Sequence, residues 1–278
     1  MNIKINLVSA SLGDTIGSVA QVDKFQKNTG HRVGFFINPK FEILFKKSYP
    51  NIKFNPINFS FDEEKNIHFN FHKPLQKGFS DDLGIEYKEE NTQIDDFESD
   101  NDQFLQKKFV TLSFHSTHQG RYWNNPNEWN KLILYLKNKY NIRTICIDLY
   151  ENFGSKNSMN CVPKKSVKRC GMSLDKCASY IRNSMFHIGT SNGLSWLAHA
   201  CNKHVVLISN VTKKWCEFST NITRIDDESI CHGCLNEEKF DSNNWLWCPR
   251  NKKFECTSKI TFNSFKSKID DLVLSYES

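Results

Sequence analysis

Four cysteines near the carboxyl end carry the most specific chemistry in this 278-residue chain. Cys231-His-Gly-Cys234 opens the set, Cys248 stands between Trp247 and Pro249, and Cys256 follows Phe254-Glu255; two, thirteen and seven residues separate the four in turn. Four thiolates carried on two loops can close a tetrahedron around zinc or iron. Gly233 lets the first turn aim backbone amides at sulfur. Four sulfurs leave no open position, so the expected site is structural rather than catalytic, spans 231–256, and leaves His232 outside. The alternative is four ordinary buried or free thiols. Of the ten cysteines none precedes Cys146, and a disulfide framework belongs to smaller secreted chains, which favours metal ligation. Cys146, Cys161, Cys170, Cys177, Cys201 and Cys216 read as buried or incidental.

Other residues point to an anion. Gly189-Thr-Ser-Asn-Gly-Leu-Ser-Trp-Leu-Ala198 reads as strand, small-residue turn and helix start. The free N–H groups and positive end of such a helix bind negative charge, through the turn Ser191-Asn192-Gly193-Leu194-Ser195. The bland alternative is a capped core helix that binds nothing. The loop Ser116-Thr117-His118-Gln119-Gly120-Arg121-Tyr122-Trp123 follows another strand. Its Ser116 and Thr117 hydroxyls and the Arg121 fork suit a diphosphate, unless the loop is plain surface. Asp14, flanked by Gly13 and Thr15, could be a general base, or simply a helix cap. Asp148 and Glu151, near the end of a further strand, could hold ribose hydroxyls, or be ordinary loop acids.

These residues need strands and helices to hold them. Ile3–Ala10 reads as a strand, a helix runs to about Asn28 with Gly30 as its C-cap, and Val33–Ile37, Phe41–Lys47 and Ile52–Phe59 read as strand, short helix and strand. After Phe109–Phe114 the alternation resumes: helix Trp129–Lys139, strand 144–148, helix 175–183, strand 185–189, helix 194–201, strand 204–208. The expected fold class is α/β, with two Rossmann-like domains facing a cleft: 1–105 and 106–278. Between them lies an acidic stretch, 81–103, with ten Asp or Glu, which reads as a solvated linker.

Composition excludes other classes. Hydrophobic residues make up 38% and charged residues 24%, so a packed core is expected. No apolar run is long enough to cross a membrane, and the amino terminus reads as a strand rather than a signal peptide, so the chain is expected in the cytoplasm. The net charge of +6 is mild: it suits a phosphate-bearing ligand without marking a nucleic-acid binder. No internal repeat is visible.

Considered as a set, Leu12-Gly13-Asp14-Thr15-Ile16-Gly17, the 116–123 loop with Trp129 downstream, and 189–198 resemble the heptosyltransferases of glycosyltransferase family nine, which have the GT-B fold. The four cysteines, with their Trp-Cys-Pro-Arg and Phe-Glu-Cys-Thr contexts, narrow this to bacterial autotransporter heptosyltransferases, which carry a four-cysteine iron site. The resemblance runs from about Ile3 to Ile260. It departs at the amino terminus, where those members carry an extra domain, at Ser191, where the family turn opens with Asp, and at Arg121, where the family has Lys.

The resemblance implies an inverting transfer of a sugar, heptose from an ADP-linked donor, to a hydroxyl on a protein Ser or Thr or on a glycan. Asp14 matches the family base. No catalytic divalent ion is implied, and the triplet Asp100-Asn101-Asp102 reads as linker. The cysteine ion is structural iron or zinc, and oligomers are compatible with the family. Two other classes remain open from sequence: a zinc-ribbon nucleic-acid-binding protein, with Arg250, Lys252 and Lys253 between the last two ligands, and a degenerate sugar-nucleotide binder without turnover.

Overall fold

The computed structural model describes residues 1–98, 107–155 and 158–277. Its first sheet is built by β1 (Asn2–Leu7), β2 (Arg32–Phe36), β3 (Lys53–Phe54) and β4 (Glu63–Ile67) in the order β3-β2-β1-β4, with every pairing parallel. Parallel neighbours require crossovers. Helix α1 (Leu12–Thr29) makes the first, capped by the Ser11 hydroxyl, which accepts from the Asp14 N–H at 3.1 Å, and closed by Gly30 at φ 68°. A 3₁₀ turn, Pro39–Leu44, replaces the expected helix at 41–47.

The second sheet has six strands in the order β12-β11-β10-β5-β6-β9: β5 (Phe109–Ser113), β6 (Arg143–Cys146), β9 (Val167–Lys168), β10 (His187–Gly189), β11 (Val205–Ile208) and β12 (Ile222–Ile225). All are parallel. Helices α3 (Pro126–Tyr140), α4 (Leu174–Asn183) and α5 (Gly193–Ala200) connect them, and α8 (Phe262–Ser275) closes the unit against α3. Counted from its first strand, the sheet runs 3-2-1-4-5-6, the doubly wound order, and its direction reverses between β5 and β10. A hairpin, β7 (Asn152–Ser155) and β8 (Ser158–Cys161), stands outside the sheet. Strands β5 and β11 are buried along their length, which is why Phe-Val-Thr-Leu-Ser and Val-Val-Leu-Ile lack alternation.

One apolar cluster runs through both units, from Ile3, Ile5 and Phe35 of the first sheet through Trp196 and Leu197 of α5 to Ile145 and Leu207 of the second. A separate cluster fills the far face of the second sheet, where Leu132 and Leu136 of α3 meet Phe265 and Ile269 of α8.

The solvated-linker expectation for 81–103 is corrected over its described part. Helix α2 (Leu75–Leu83) occupies its start, and Thr92, Ile94 and Asp95 are buried. Asp95 accepts from the Lys47 and Ser48 amides, and Arg182 of α4 donates to the Ile94 and Asp95 carbonyls at 2.8 and 2.7 Å. Charge count hid a strap whose few apolar side chains face inward. The triplet 100–102 and the boundary at 105/106 lie outside the described residues.

Candidate functional site

In doubly wound sheets ligands bind beyond the carboxyl ends of the strands, at the switch point. In the second sheet that point holds the loops after β5 and β10, the two loops singled out from sequence. Asn192 ties them together. Its Nδ2 donates to the His115 carbonyl at 2.9 Å, and its Oδ1 caps α5 by accepting from the Ser195 N–H at 2.9 Å. Asn192 thus shapes the turn. Ser195 is also committed, its hydroxyl donating to the Thr190 carbonyl at 2.8 Å. Gly193 and Leu194 begin the helix, whose first intrahelical donor is Trp196 to the Asn192 carbonyl; amides before that point have no partner within the helix.

Ser191 is buried, and its hydroxyl donates to Glu217 at 2.6 Å. Glu217 also accepts from Thr212 at 2.8 Å and pairs with Arg224 at 2.5 Å. A carboxylate therefore lies directly behind the glycine turn. Sequence reasoning missed it because Glu217 is 26 residues from Ser191 and belongs to no local pattern.

The loop after β5 is mostly folded inward. Ser116 is buried and its carbonyl accepts from the Tyr122 hydroxyl at 3.1 Å, whereas Thr117 is exposed. Arg121 is half-buried, and its Nε is sealed from solvent with no hydrogen-bond partner. A sealed guanidinium nitrogen left without an acceptor is a costly arrangement. His118 beside it is a structural residue, its Nε2 donating to the Trp247 carbonyl at 2.8 Å.

Two sequence expectations are corrected here. Asp148 is fully buried, and its carboxylate accepts from the Phe114 and His115 amides at 2.8 and 3.3 Å. Burial overrides those donors and pushes its carboxyl up to about 7. It holds the β5 loop from beneath, with its carboxylate turned to backbone donors. Thr15 is equally buried, its hydroxyl returned to the Ser11 carbonyl at 2.9 Å. Glu151 is exposed and pairs with Lys168 at 2.7 Å. Near it, Tyr150 stacks on Phe153 with centroids 5.6 Å apart, and Phe153 abuts Trp245. No periodic pattern announced this aromatic wall, because Trp245 is remote in sequence from Tyr150 and from Phe153 of β7.

Asp14 sits on the first turn of α1, after β1, where the first sheet also reverses direction. The Ser9 hydroxyl donates to its Oδ2 at 2.5 Å, a contact the sequence did not single out. Gly13 next to it packs on the second unit: a Cβ there would lie 3.1 Å from Trp196 Cδ1 and 3.6 Å from Gly193 Cα. Gly13, beside the base candidate Asp14, thus meets the start of α5 across the seam between the sheets.

Cys231, Cys234, Cys248 and Cys256 line one small cavity, with about 10 Å³ of free space, roughly one water-sized sphere. Gly233, at φ 73°, turns between the first two, with its N–H donating to the Asn210 carbonyl at 2.8 Å. Burial, reinforced by the neighbouring thiols, pushes Cys234 and Cys256 up to about 12. Four cysteines around room for one atom, with Trp247, Pro249, Phe254 and Arg250 also lining the cavity, fit a thiolate-bound ion. Among the described residues no three His, Cys, Asp or Glu stand as a ready-made ligand set, so the thiols must turn inward to close one. No described helix is long and apolar enough to cross a membrane.

No protein-family model matches the chain. The autotransporter heptosyltransferase TibC of Escherichia coli O78:H11 is 29% identical over 93% of this chain and 68% of its own length. The autotransporter heptosyltransferase Aah of Escherichia coli is 28% identical over 93% of this chain and 71% of its own. The crystal structure of TibC, described as an iron-containing dodecameric glycosyltransferase, superposes with a TM-score of 0.91 at 26% identity, covering 99% of this chain and 76% of that one. TibC in complex with ADP-D-beta-D-heptose gives 0.90 at 26% identity over 98% and 76% of the two chains. E. coli heptosyltransferase WaaC with ADP, 12% identical with a TM-score of 0.61 over 98% of this chain and 100% of its own, shares the fold. These relatives do not favour the nucleic-acid-binding alternative.

Proposed function

We infer that this chain, a homologue of the autotransporter heptosyltransferases with their GT-B fold, is a glycosyltransferase that moves heptose from ADP-heptose to a hydroxyl on a protein acceptor, in the cytoplasm. The observation that carries the reading is the seam itself. The first turn of α1, which carries Asp14, meets the first turn of α5, while Arg121 keeps a buried donor without an acceptor.

The mechanism follows from charge. The acceptor hydroxyl oxygen attacks the anomeric carbon from the face opposite the diphosphate, which inverts the centre. Its proton passes to Asp14 Oδ1, the carboxylate being held through Oδ2 by Ser9. The bond from the anomeric carbon to the β-phosphate oxygen breaks, and the departing ADP gains one negative charge. Arg121 and the free amides at the start of α5 stabilise that charge more strongly than they stabilise the intact donor. The Tyr150–Phe153 wall offers a stacking face for the base. Cys231, Cys234, Cys248 and Cys256 would hold a structural iron or zinc ion, which supplies a cross-link between two loops and no reacting atom.

Transfer assayed with ADP-heptose, alongside a thermal-shift panel of ADP, UDP, GDP and CDP, tests this. Native protein should be stabilised by ADP, and Asp14→Ala should keep that shift while losing transfer by about 10²–10⁴-fold. Wild-type transfer by Asp14→Ala would remove the base assignment. Stabilisation by a different diphosphate would keep the reaction class and change the sugar nucleotide. A silent panel would sink the donor site.

A further inference from the structure

The two sheets meet at a second place, remote in sequence from Asp14. The loop leaving β4, residues 68–74, lies against the segment that carries the cysteines. Asn236, two residues after Cys234 and buried, is the centre of the contact. Its Nδ2 donates to the Phe71 carbonyl at 2.6 Å, its Oδ1 accepts from the Lys213 N–H at 2.7 Å, and its own carbonyl accepts from His72 Nδ1 at 2.8 Å. The Leu75 N–H donates across the same seam to the Cys216 carbonyl at 3.2 Å. Phe71 packs on Val211, Cys234, Leu235 and Trp247, and its ring lies 5.5 Å from that of Phe240.

The topology gives this contact its meaning. In the first sheet β4 neighbours β1, and in the second β11 neighbours β10. The loop after β1 meets the turn after β10 through Gly13 and Gly193; the loop after β4 meets the loop after β11 through Asn236. The carboxyl ends of two adjacent strands are therefore fastened, one to one, to those of two adjacent strands opposite. One fastening carries the reacting groups. The other carries no chemistry of its own, and apart from the Leu75–Cys216 bond its hydrogen bonds are made by Asn236 of the cysteine segment.

We propose that Asn236 is a positioning residue, a clasp that joins the loop leaving β4 to the cysteine segment and sets the separation of Asp14 from the anion turn. The consequence for transfer rests on the function inferred above; the clasp itself does not. Its tightness depends on the order of the cysteine segment, so an ion held there acts on the cleft through Asn236.

Hydrogen exchange on the full chain tests it, with metal content measured on the same samples. Asn236→Ala should raise exchange across 71–76, the Leu75 amide included, by about tenfold or more, with the native metal content kept and the KM for donor raised more than kcat is lowered. His72 is exposed, so His72→Ala folds whatever Asn236→Ala does, and it should loosen the same amides by a smaller factor. Native protein stripped with a chelator should show the Asn236→Ala pattern. Unchanged exchange over 71–76 in both variants overturns the clasp. A native protein without metal overturns the ion reading, and faster exchange in Asn236→Ala then still supports the clasp. Full release of 71–76 with unaltered KM and kcat overturns its role in the reaction.

Discussion

A Cβ placed on Gly193 would stand 2.7 Å from Leu12 Cβ and 3.1 Å from the Gly13 amide nitrogen, so the backbones at Gly13 and Gly193 are in contact and neither sheet can approach the other with a side chain between them. Gly193→Ala forces the seam apart. The expected cost is about 1–3 kcal/mol of stability, together with a fall in transfer larger than the fall in ADP affinity. Thermal unfolding with and without ADP separates the two effects. An alanine variant of native stability and rate would mean that the seam is not fixed.

Arg121 gives a cleaner separation of binding from folding. Its Nε has no partner in the protein, so Arg121→Gln should leave the unfolding midpoint of the ligand-free protein nearly where it was. ADP affinity should fall by about 10–100-fold. Arg121→Lys should recover only part of that, since a point charge cannot reproduce the guanidinium fork. Isothermal titration with ADP decides it; equal affinities in the wild type and Arg121→Gln would place the diphosphate elsewhere.

Asp148 makes a prediction about pH. Its carboxyl is raised from 3.8 to about 7 by burial. At low pH both folded and unfolded chains carry the proton. As pH rises toward 7 the unfolded chain releases it and the folded chain retains it, so this group's contribution to stability is lost over that range. A carboxyl moved from 3.8 to about 7 corresponds to roughly 4 kcal/mol. The wild-type advantage over Asp148→Asn should shrink by that order between pH 4 and pH 8 in chemical denaturation. A difference independent of pH would show an ionised, compensated carboxylate.

The cysteine cavity predicts about one ion per chain, lost in the Cys231→Ser, Cys234→Ser double variant. Elemental analysis counts it, and visible absorption identifies it: ferric tetrathiolate is coloured, whereas zinc has a filled d shell. Native protein free of both metals would leave four buried thiols and no site.

Behind the glycine turn, buried Glu217 pairs at 2.5 Å with the largely buried side chain of Arg224. Glu217→Gln strands the arginine, at a cost of about 3–5 kcal/mol. Exchanging both for apolar residues of similar volume should cost less than the single change. A single variant as stable as wild type would show that Arg224 reaches water.

The legible parts of the sequence were those where chemistry and local pattern coincide. Strand, small-residue turn and helix start at 189–198 are contiguous, so both the element and its place in the sheet could be read. The same holds for 116–123 after β5. Strand β4 could not be read: Glu-Glu-Lys-Asn-Ile has no apolar alternation, because β4 is a sheet edge with Glu63 and Glu64 turned to solvent. The strap at 84–98 was obscured by its carboxylates, although Asp95 is there to cap the Lys47 and Ser48 amides. Glu217 and Asn236 lie beyond any sequence window. Each acts on a partner that only the folded chain brings near. Asp148 misled for a related reason: its residue type and strand-end position suited a sugar ligand, and burial alone decided otherwise.

The apolar cluster shared by both sheets bears on how the chain is made. Helix α1 is synthesised early, yet the helix it packs on across the seam, α5, leaves the ribosome far later. The face of α1 that meets α5 therefore stays uncovered until α5 has emerged. Docking of the two units waits for α5, and the shared cluster predicts that thermal unfolding takes both units in one cooperative step.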